Sequence, residues 1–398
     1  MHKNYAMIIS LRIKNFFSIR EEAVLDFTAD VTTRKSREDL PENLVDFAGD
    51  KFVNIIGLFG SNAAGKSNII KTLSFCRQLV ITSHLNNEDD RLDFEPFKFD
   101  SDKPSEFYIN FVTDGIEYEY SFQIYDGKIS FEELYYYPKK RKAKVFTRES
   151  TSTYIHRKGI IERPAEIEAN TGPKTLFLSR ASSMNRAIAQ TVYRFFKNEI
   201  VIGVENFQLQ SLQRNNLDEC KDYLLKALEV SDSDIVDIRL VELIPGFPQL
   251  LSFHKENPEL PFDFEKEESD GTKRLFVILL MMLKKSIEGA TIFLDEFDLK
   301  LHLHLAEFLL DTIRASRGGQ LVFTSHNPSL ININKLRPEQ IVFVNKQCDG
   351  NSEFVPLSDY EGIGKNTDIQ KAYLQGRFDA VPYVGDIYPL LSELIKRR

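Results

Sequence analysis

The sequence predicts an α/β fold built on a parallel sheet, joined to an antiparallel β-lobe and a helical insertion, and three observations carry that reading. A short apolar run at 52–59, FVNIIGLF, ends in a glycine-rich turn, as a buried parallel strand does. Two later runs, TIFLDE at 291–296 and QLVFTS at 320–325, flank a helical pattern near 303–316, the alternation of a parallel sheet. Between the first run and these two, from about 97 to 155, lie short aromatic strands such as FYINFV, YEYSFQI and FEELYYY. Turn signals at Asp114-Gly115 and Asp126-Gly127 separate these strands, which points to an antiparallel lobe.

In chain order, Ile9, Leu11 and Ile13 alternate with Ser10, Arg12 and Lys14, the period-2 mark of a half-buried strand. A second strand is expected over 23–27. After the glycine-rich turn, 67–79 reads as a helix, and the polar, acidic stretch 86–93 as a surface loop. Residues 184–229 read as mainly helical, with 217–228 the clearest amphipathic stretch.

Composition excludes several classes. The chain has 398 residues and a formal net charge of −8, so contact with nucleic acid would need a local basic patch. The densest such cluster is 138–144, PKKRKAK, which fits either a solvated hairpin tip or a phosphate contact. Cys76, Cys220 and Cys348 form no C-x-x-C pair, which fits a reducing compartment. The N-terminus lacks the apolar core of a signal peptide, and the longest apolar run, 275–283, is far shorter than the roughly 20 residues that span a bilayer. A cytoplasmic protein that makes no membrane contact is expected.

Gly60-Ser61-Asn62-Ala63-Ala64-Gly65-Lys66-Ser67 satisfies G-x-x-x-x-G-K-[ST] and is followed by Asn68. In such a loop, backbone N–H groups turn inward around phosphates and the following helix adds partial positive charge. Lys66 would reach the β- and γ-phosphates of ATP and the Ser67 hydroxyl would ligate Mg²⁺. The bland alternative is a glycine turn beside a surface lysine, and the strand before and helix after the loop tell against it.

The apolar strand within 291–296 ends in two adjacent carboxylates, Asp295 and Glu296. An Asp at that tip can hold Mg²⁺, and the neighbouring Glu can deprotonate an attacking water. Alone, such a pair is equally well a strand ending in solvated acids. His326 follows the next strand, where a His can sense the γ-phosphate; alone it is more often a local hydrogen-bonding residue, and the shared architecture favours the first role. His302 and His304, at i,i+2 on the expected helix, point to different faces and make no chelating pair. Ser269 and Gly271 stand at a helix start, ahead of the apolar run 275–283. Either they cap a buried helix, or they form a second anion site, which would serve a neighbouring chain's nucleotide.

The order of these motifs resembles the ABC superfamily, in its soluble branch of SMC-like, RecF-like and OLD-type ATPases. FGSNAAGKSN, EESDGTKRL, FLDEFDLKLH, TSHNPSL and KAYLQGRFDAVP also resemble bacterial "AAA family" ATPases of abortive-infection and other anti-phage operons, over essentially the whole chain. The resemblance implies an ABC-type ATPase head that uses ATP and Mg²⁺, with Lys66, Glu296 and His326 catalytic and Asp298 the D-loop acid. It implies that Ser269 and Gly271 contact the γ-phosphate across a two-headed dimer. Asp270 and Thr272 stand where transporter relatives carry Gly and Gln, and no Gln is assignable to a Q-loop.

With that resemblance the chain divides into 1–95, the N-terminal part of the head; 96–160, the β-lobe; 161–240, the helical insertion; 241–350, the C-terminal part of the head; and 351–398, a docking segment. Tyr373, Phe378, Tyr383, Tyr388, Leu390, Leu391 and Ile395 give that last segment more apolar surface than a free tail needs, unless it packs on its own head. Asp100/Asp102 and Asp232/Asp234 lie in polar turns, and the stretch after His326 is too short for a TOPRIM domain, so nuclease activity is expected elsewhere. The partners expected are a second copy of the chain or a larger assembly, and an effector in trans such as a TOPRIM-type nuclease. Three functions stay open: a defence ATPase controlling that effector, a RecF- or SMC-like repair ATPase clamping DNA, and an ATP-gated scaffold with little turnover.

Overall fold

The computed structural model describes residues 6–30, 40–87, 89–203, 214–231, 233–244, 247–316, 318–364 and 367–381. The chain opens with strands β1 (Met7–Lys14), β2 (Ala23–Asp26), β3 (Leu44–Phe47), β4 (Asp50–Val53) and β5 (Ile55–Phe59), then helix α1 (Lys66–Thr82). Strands β6 (Ser105–Thr113), β7 (Ile116–Tyr125), β8 (Lys128–Tyr136), β9 (Ala143–Arg148) and β10 (Tyr154–His156) follow. Next come α2 (Pro164–Ala169), α3 (Phe177–Ser183), α4 (Ala187–Arg194), β11 (Ile200–Ile202) and α5 (Arg214–Val230). The remainder comprises β12 (Ile235–Ile244), β13 (Phe247–His254), β14 (Asn257–Asp263), α6 (Phe264–Glu267), α7 (Asp270–Glu288), β15 (Thr291–Leu294), α8 (Leu303–Ala315), β16 (Gln320–Ser325), β17 (Ile341–Lys346), β18 (Ser352–Pro356) and α9 (Ile369–Leu374).

The central sheet runs β11-β15-β16-β5-β17-β18, parallel except for the last strand. Its inner strands are buried on both faces, which is why their sequences are unbroken apolar runs rather than alternating ones. Ile56, Leu58, Phe293 and Val322 join a core shared with α1 and the β-lobe. Ile55, Phe59, Ile292, Leu294, Leu321 and Phe323 join a second core with α5, α7 and α8. Leu294 lies opposite Phe323 and Phe59 opposite Ser325, so the chain leaves β5, β15 and β16 at one rim.

The run at 52–59 is not one strand. Asn54 breaks it: its N–H donates to Asn43 O and its carboxamide to Glu42 O, at 3.0 and 2.8 Å. The residues before it pair with β3 instead of entering the central sheet.

The β-lobe is a seven-stranded antiparallel sheet ordered β10-β9-β8-β7-β6-β1-β2. Strands β1 and β2, from the segment carrying the glycine-rich loop, therefore complete the lobe rather than the central sheet. Alternate residues Phe107, Ile109, Phe111, Tyr118, Tyr120 and Phe122 are buried on one face. Behind them Glu132, fully buried, accepts from Phe177 N, Leu178 N and Tyr120 OH at 2.6, 2.9 and 2.9 Å, 4.0 Å from the equally buried Arg148.

The insertion contains strand as well as helix. β11 joins the edge of the central sheet, and β12 begins inside the stretch 161–240 and forms a sheet ordered β12-β13-β14. For part of the C-terminal segment the packing alternative holds. Tyr373 and Phe378 are buried and stack on Phe343, with ring centroids 5.6 and 4.5 Å apart. Burying rings of this size stabilises by about 2–3 kcal/mol each, so this part packs on its own head. Tyr383, Tyr388, Leu390, Leu391 and Ile395 lie outside the described residues. Among the described residues no helix is long and apolar enough to cross a membrane.

Candidate active site

The loop from Gly60 to Gly65 joins β5 to α1. A Cβ at Gly60 would sit 2.4 Å from Val344 O, so only glycine lets the loop leave the sheet here. Ala63 and Gly65 adopt left-handed backbones, with φ of 61° and 102°. Such residues turn successive N–H groups toward one concave centre, and the 17-residue α1 sets its positive end there. Ser61 is partly exposed, Asn62 and Ala63 are exposed, and Ala64 is buried.

Serine hydroxyls from distant segments back the loop. Ser352 Oγ donates to Ala64 O at 2.6 Å and lies 2.6 Å from Ser18 Oγ, which accepts from Asn68 Nδ2 at 2.6 Å. A side chain at Gly65 would strike both hydroxyls. Neither Ser18 nor Ser352 has a local sequence signal, because their roles exist only once the β1–β2 and β17–β18 turns meet the loop.

Lys66 is buried under the loop. Its Nζ donates to Gly60 O at 2.9 Å and Ser61 O at 2.8 Å, and lies 3.1 Å from His326 Nδ1. Burial lowers the Lys66 pKa to about 8, against the opposing pull of Asp295 and Glu296. Burial and then the Lys66 charge lower that of His326. A neutral His326 accepting at Nδ1 satisfies both groups.

β15 ends at Leu294 and delivers Asp295 directly beside α1. Asp295 Oδ1 accepts from Ser67 Oγ at 2.9 Å and from Thr324 Oγ1 at 2.6 Å. Thr324 Oγ1 in turn accepts from Glu296 N at 2.8 Å. Glu296 is exposed and has φ 47°, a conformation that costs roughly 1–2 kcal/mol for a residue with a Cβ. The bond to Thr324, and Arg274 Nη2 donating to Asp295 O and Glu296 O at 3.0 and 2.6 Å, hold it there. Asp298 Oδ1 accepts from Ser325 Oγ at 2.7 Å. Thr324 and Arg274 were not singled out from sequence, although Thr324 stands two residues before His326.

Ser269 and Gly271 sit apart from this cluster. Ser269 is exposed and caps α7, its Oγ accepting from Thr272 N at 3.1 Å. Gly271 faces Lys300 O, which a Cβ would approach to 3.0 Å. Among the described residues no hydrogen bond ties Ser269 or Gly271 to the glycine-rich loop.

The donor set suits a hard cation. Ser67 Oγ and Asp295 Oδ1 are adjacent oxygens, the kind Mg²⁺ prefers. Among the described residues no group of three or more His, Cys, Asp and Glu could hold a metal, so a cation here would take its other ligands from phosphate and water.

A family model described as "AAA domain, putative AbiEii toxin, Type IV TA system" matches residues 55–332. The chain is similar to the SMC head domain from Thermotoga maritima, with 15% identity, 88% of this chain and 98% of that chain covered, and a TM-score of 0.42. It is also similar to the SmcHead bound to the C-winged helix domain of ScpA, with 15% identity, 88% and 97% covered, and a TM-score of 0.46. No curated protein matches the chain.

Proposed function

The chain belongs to the AAA domain family of AbiEii type, whose model covers 55–332, and we propose that it binds Mg-ATP at Gly60–Asn68 and hydrolyses it. The observation that carries this reading is the meeting of Lys66, Ser67, Asp295, Glu296 and His326 at one rim of the central sheet, from three separate segments of the chain.

The inward N–H groups and Lys66 bind the β- and γ-phosphates. Ser67 and Asp295 hold Mg²⁺, which when bound neutralises charge on the phosphate oxygens. Glu296, exposed beside Asp295, takes the proton of the attacking water, and His326 orients that water against the γ-phosphate. Beyond starting α7, Ser269 and Gly271 make no hydrogen bond to the glycine-rich loop of their own subunit among the described residues, which supports a role at the nucleotide of a second copy. Asp298 lies on the same rim and belongs to that pairing face.

We place this activity in a defence system in which head pairing controls an effector in trans. The support is the family description, which names a toxin and a TA system. An effector would not dock through Tyr373 and Phe378, which the head itself buries. The DNA-clamping reading comes from the RecF-like resemblance and would use the basic turn at 138–144, where Lys142 already pairs with Glu119 and Lys140 donates to Ala48 O.

Phosphate release from Mg-ATP by the purified chain, with and without duplex DNA, tests the reading. Glu296→Gln should bind ATP normally and turn over roughly 10²-fold more slowly. Ordinary turnover by that variant overturns the general-base assignment, and strong stimulation by DNA favours the clamp.

A further inference from the structure

The segment that presents Ser269 is anchored from outside the central sheet. Glu268 precedes Ser269, and its side chain is 9% exposed. Its Oε1 accepts from Ser252 Oγ at 2.5 Å and from His254 Nε2 at 2.8 Å. The other ring nitrogen, Nδ1, lies 2.9 Å from Asp234 Oδ1. A carboxylate only accepts, so both ring nitrogens donate, and the bridging species is an imidazolium.

Ser252 and His254 both belong to β13, while Asp234 lies just before β12. Phe262 of β14 closes against the ring edge-on, with centroids 4.6 Å apart. Asp234 and Glu268 are the charged groups set against the imidazole, and Lys255, next along the turn, acts on Asp234. Partial burial lowers the His254 pKa, but the two carboxylate bonds outweigh it and raise the value above that of a free imidazole.

We propose that His254 is a positioning residue for the two-headed nucleotide site: as an imidazolium it holds Glu268, and through Glu268 the backbone that presents Ser269 to the partner head. The inference rests on the reading of Ser269 given above. The β12-β13-β14 sheet then acts as a support whose grip on the signature segment depends on one proton. Below the raised pKa both carboxylates have a donor. As pH rises through it, the neutral ring has one N–H for two carboxylates; where that N–H stays on Asp234, Glu268 keeps only Ser252 Oγ and the segment loosens.

The test uses the full chain as wild type, His254→Ala and His254→Gln, at about pH 6 to 9, the range in which imidazoles titrate. Affinity for a fluorescent ATP analogue and ATP-dependent self-association by sedimentation are measured for each. The wild type should associate with ATP and do so less well as pH rises. His254→Ala should keep its nucleotide affinity within about twofold, associate roughly tenfold more weakly and lose the pH slope. His254→Gln, which keeps one N–H for Glu268, should recover part of the association and remain flat in pH.

Association by His254→Ala with wild-type strength and slope overturns the proposal. So does a parallel loss of nucleotide affinity and association, which would mark a purely structural role. A wild type that stays monomeric with ATP instead removes the reading of Ser269 on which the proposal rests, a failure visible without any variant.

Discussion

Ser67 Oγ donates to Asp295 Oδ1 at 2.9 Å across 228 positions of sequence. The bond closes the gap between the first turn of α1 and the loop after β15, and its two oxygens are those assigned to Mg²⁺. Asp295→Asn keeps an oxygen for Ser67 and Thr324 but removes the charge. The Mg²⁺ concentration giving half-maximal ATP binding should rise at least about tenfold, measured by nucleotide fluorescence in a Mg²⁺ titration. An unchanged Mg²⁺ dependence would remove Asp295 from the cation site.

Glu132 fastens the lobe to α3. Its carboxylate accepts from two backbone N–H groups and Tyr120 OH, beside the buried Arg148 guanidinium. Glu132→Ala leaves those donors unpaired and Arg148 without its counter-charge, at a cost of about 3–5 kcal/mol. Chemical denaturation should report that loss, with Glu132→Gln losing less. A loss below about 1 kcal/mol would mean that water replaces the carboxylate.

Lys285 contributes a pH dependence of stability above pH 8. It is fully buried on α7, and its Nζ donates to Gly318 O at 2.9 Å and Ser316 Oγ at 3.2 Å. Burial lowers its pKa from the usual 10.5 to about 8. Between those values the unfolded chain binds a proton that the folded chain does not, so stability rises with pH across that window. Relative to Lys285→Met, the wild type should gain up to about 3 kcal/mol from pH 8 to 10.5, and nothing below pH 8. A difference that is flat or falling across the window contradicts the burial argument.

Much of the candidate site was legible because its parts are local in sequence. The glycine-rich loop, Asp295-Glu296 and His326 each follow an apolar run, and a parallel sheet brings the ends of such runs to one rim. Thr324, Ser18, Ser352 and Arg274 carry no local signal, because they act through pairings between segments far apart in the chain. The fold was legible in the same measure. Buried parallel strands and aromatic antiparallel ones announce themselves by composition, whereas the membership of β1 in the lobe is set by its pairing with β6. The break at Asn54 depends on hydrogen bonds to Glu42 and Asn43 that no periodicity reveals. Tyr373 and Phe378 look like a docking surface in sequence, and only Phe343 stacked against them shows where they go.

In the proposed dimer ATP is held between two heads, with Lys66 from one and Ser269 from the other. Ser269 is exposed at the start of α7, with no bond to its own loop among the described residues. The most direct measurement is phosphate release by Lys66→Ala protein, Ser269→Arg protein and an equimolar mixture of the two. Each variant alone lacks one half of every site and should be inactive. A mixed dimer retains one intact site, so the mixture should recover roughly a quarter of wild-type turnover, since about half the dimers are mixed and each has one of two sites. A mixture as inactive as its components would contradict the shared site.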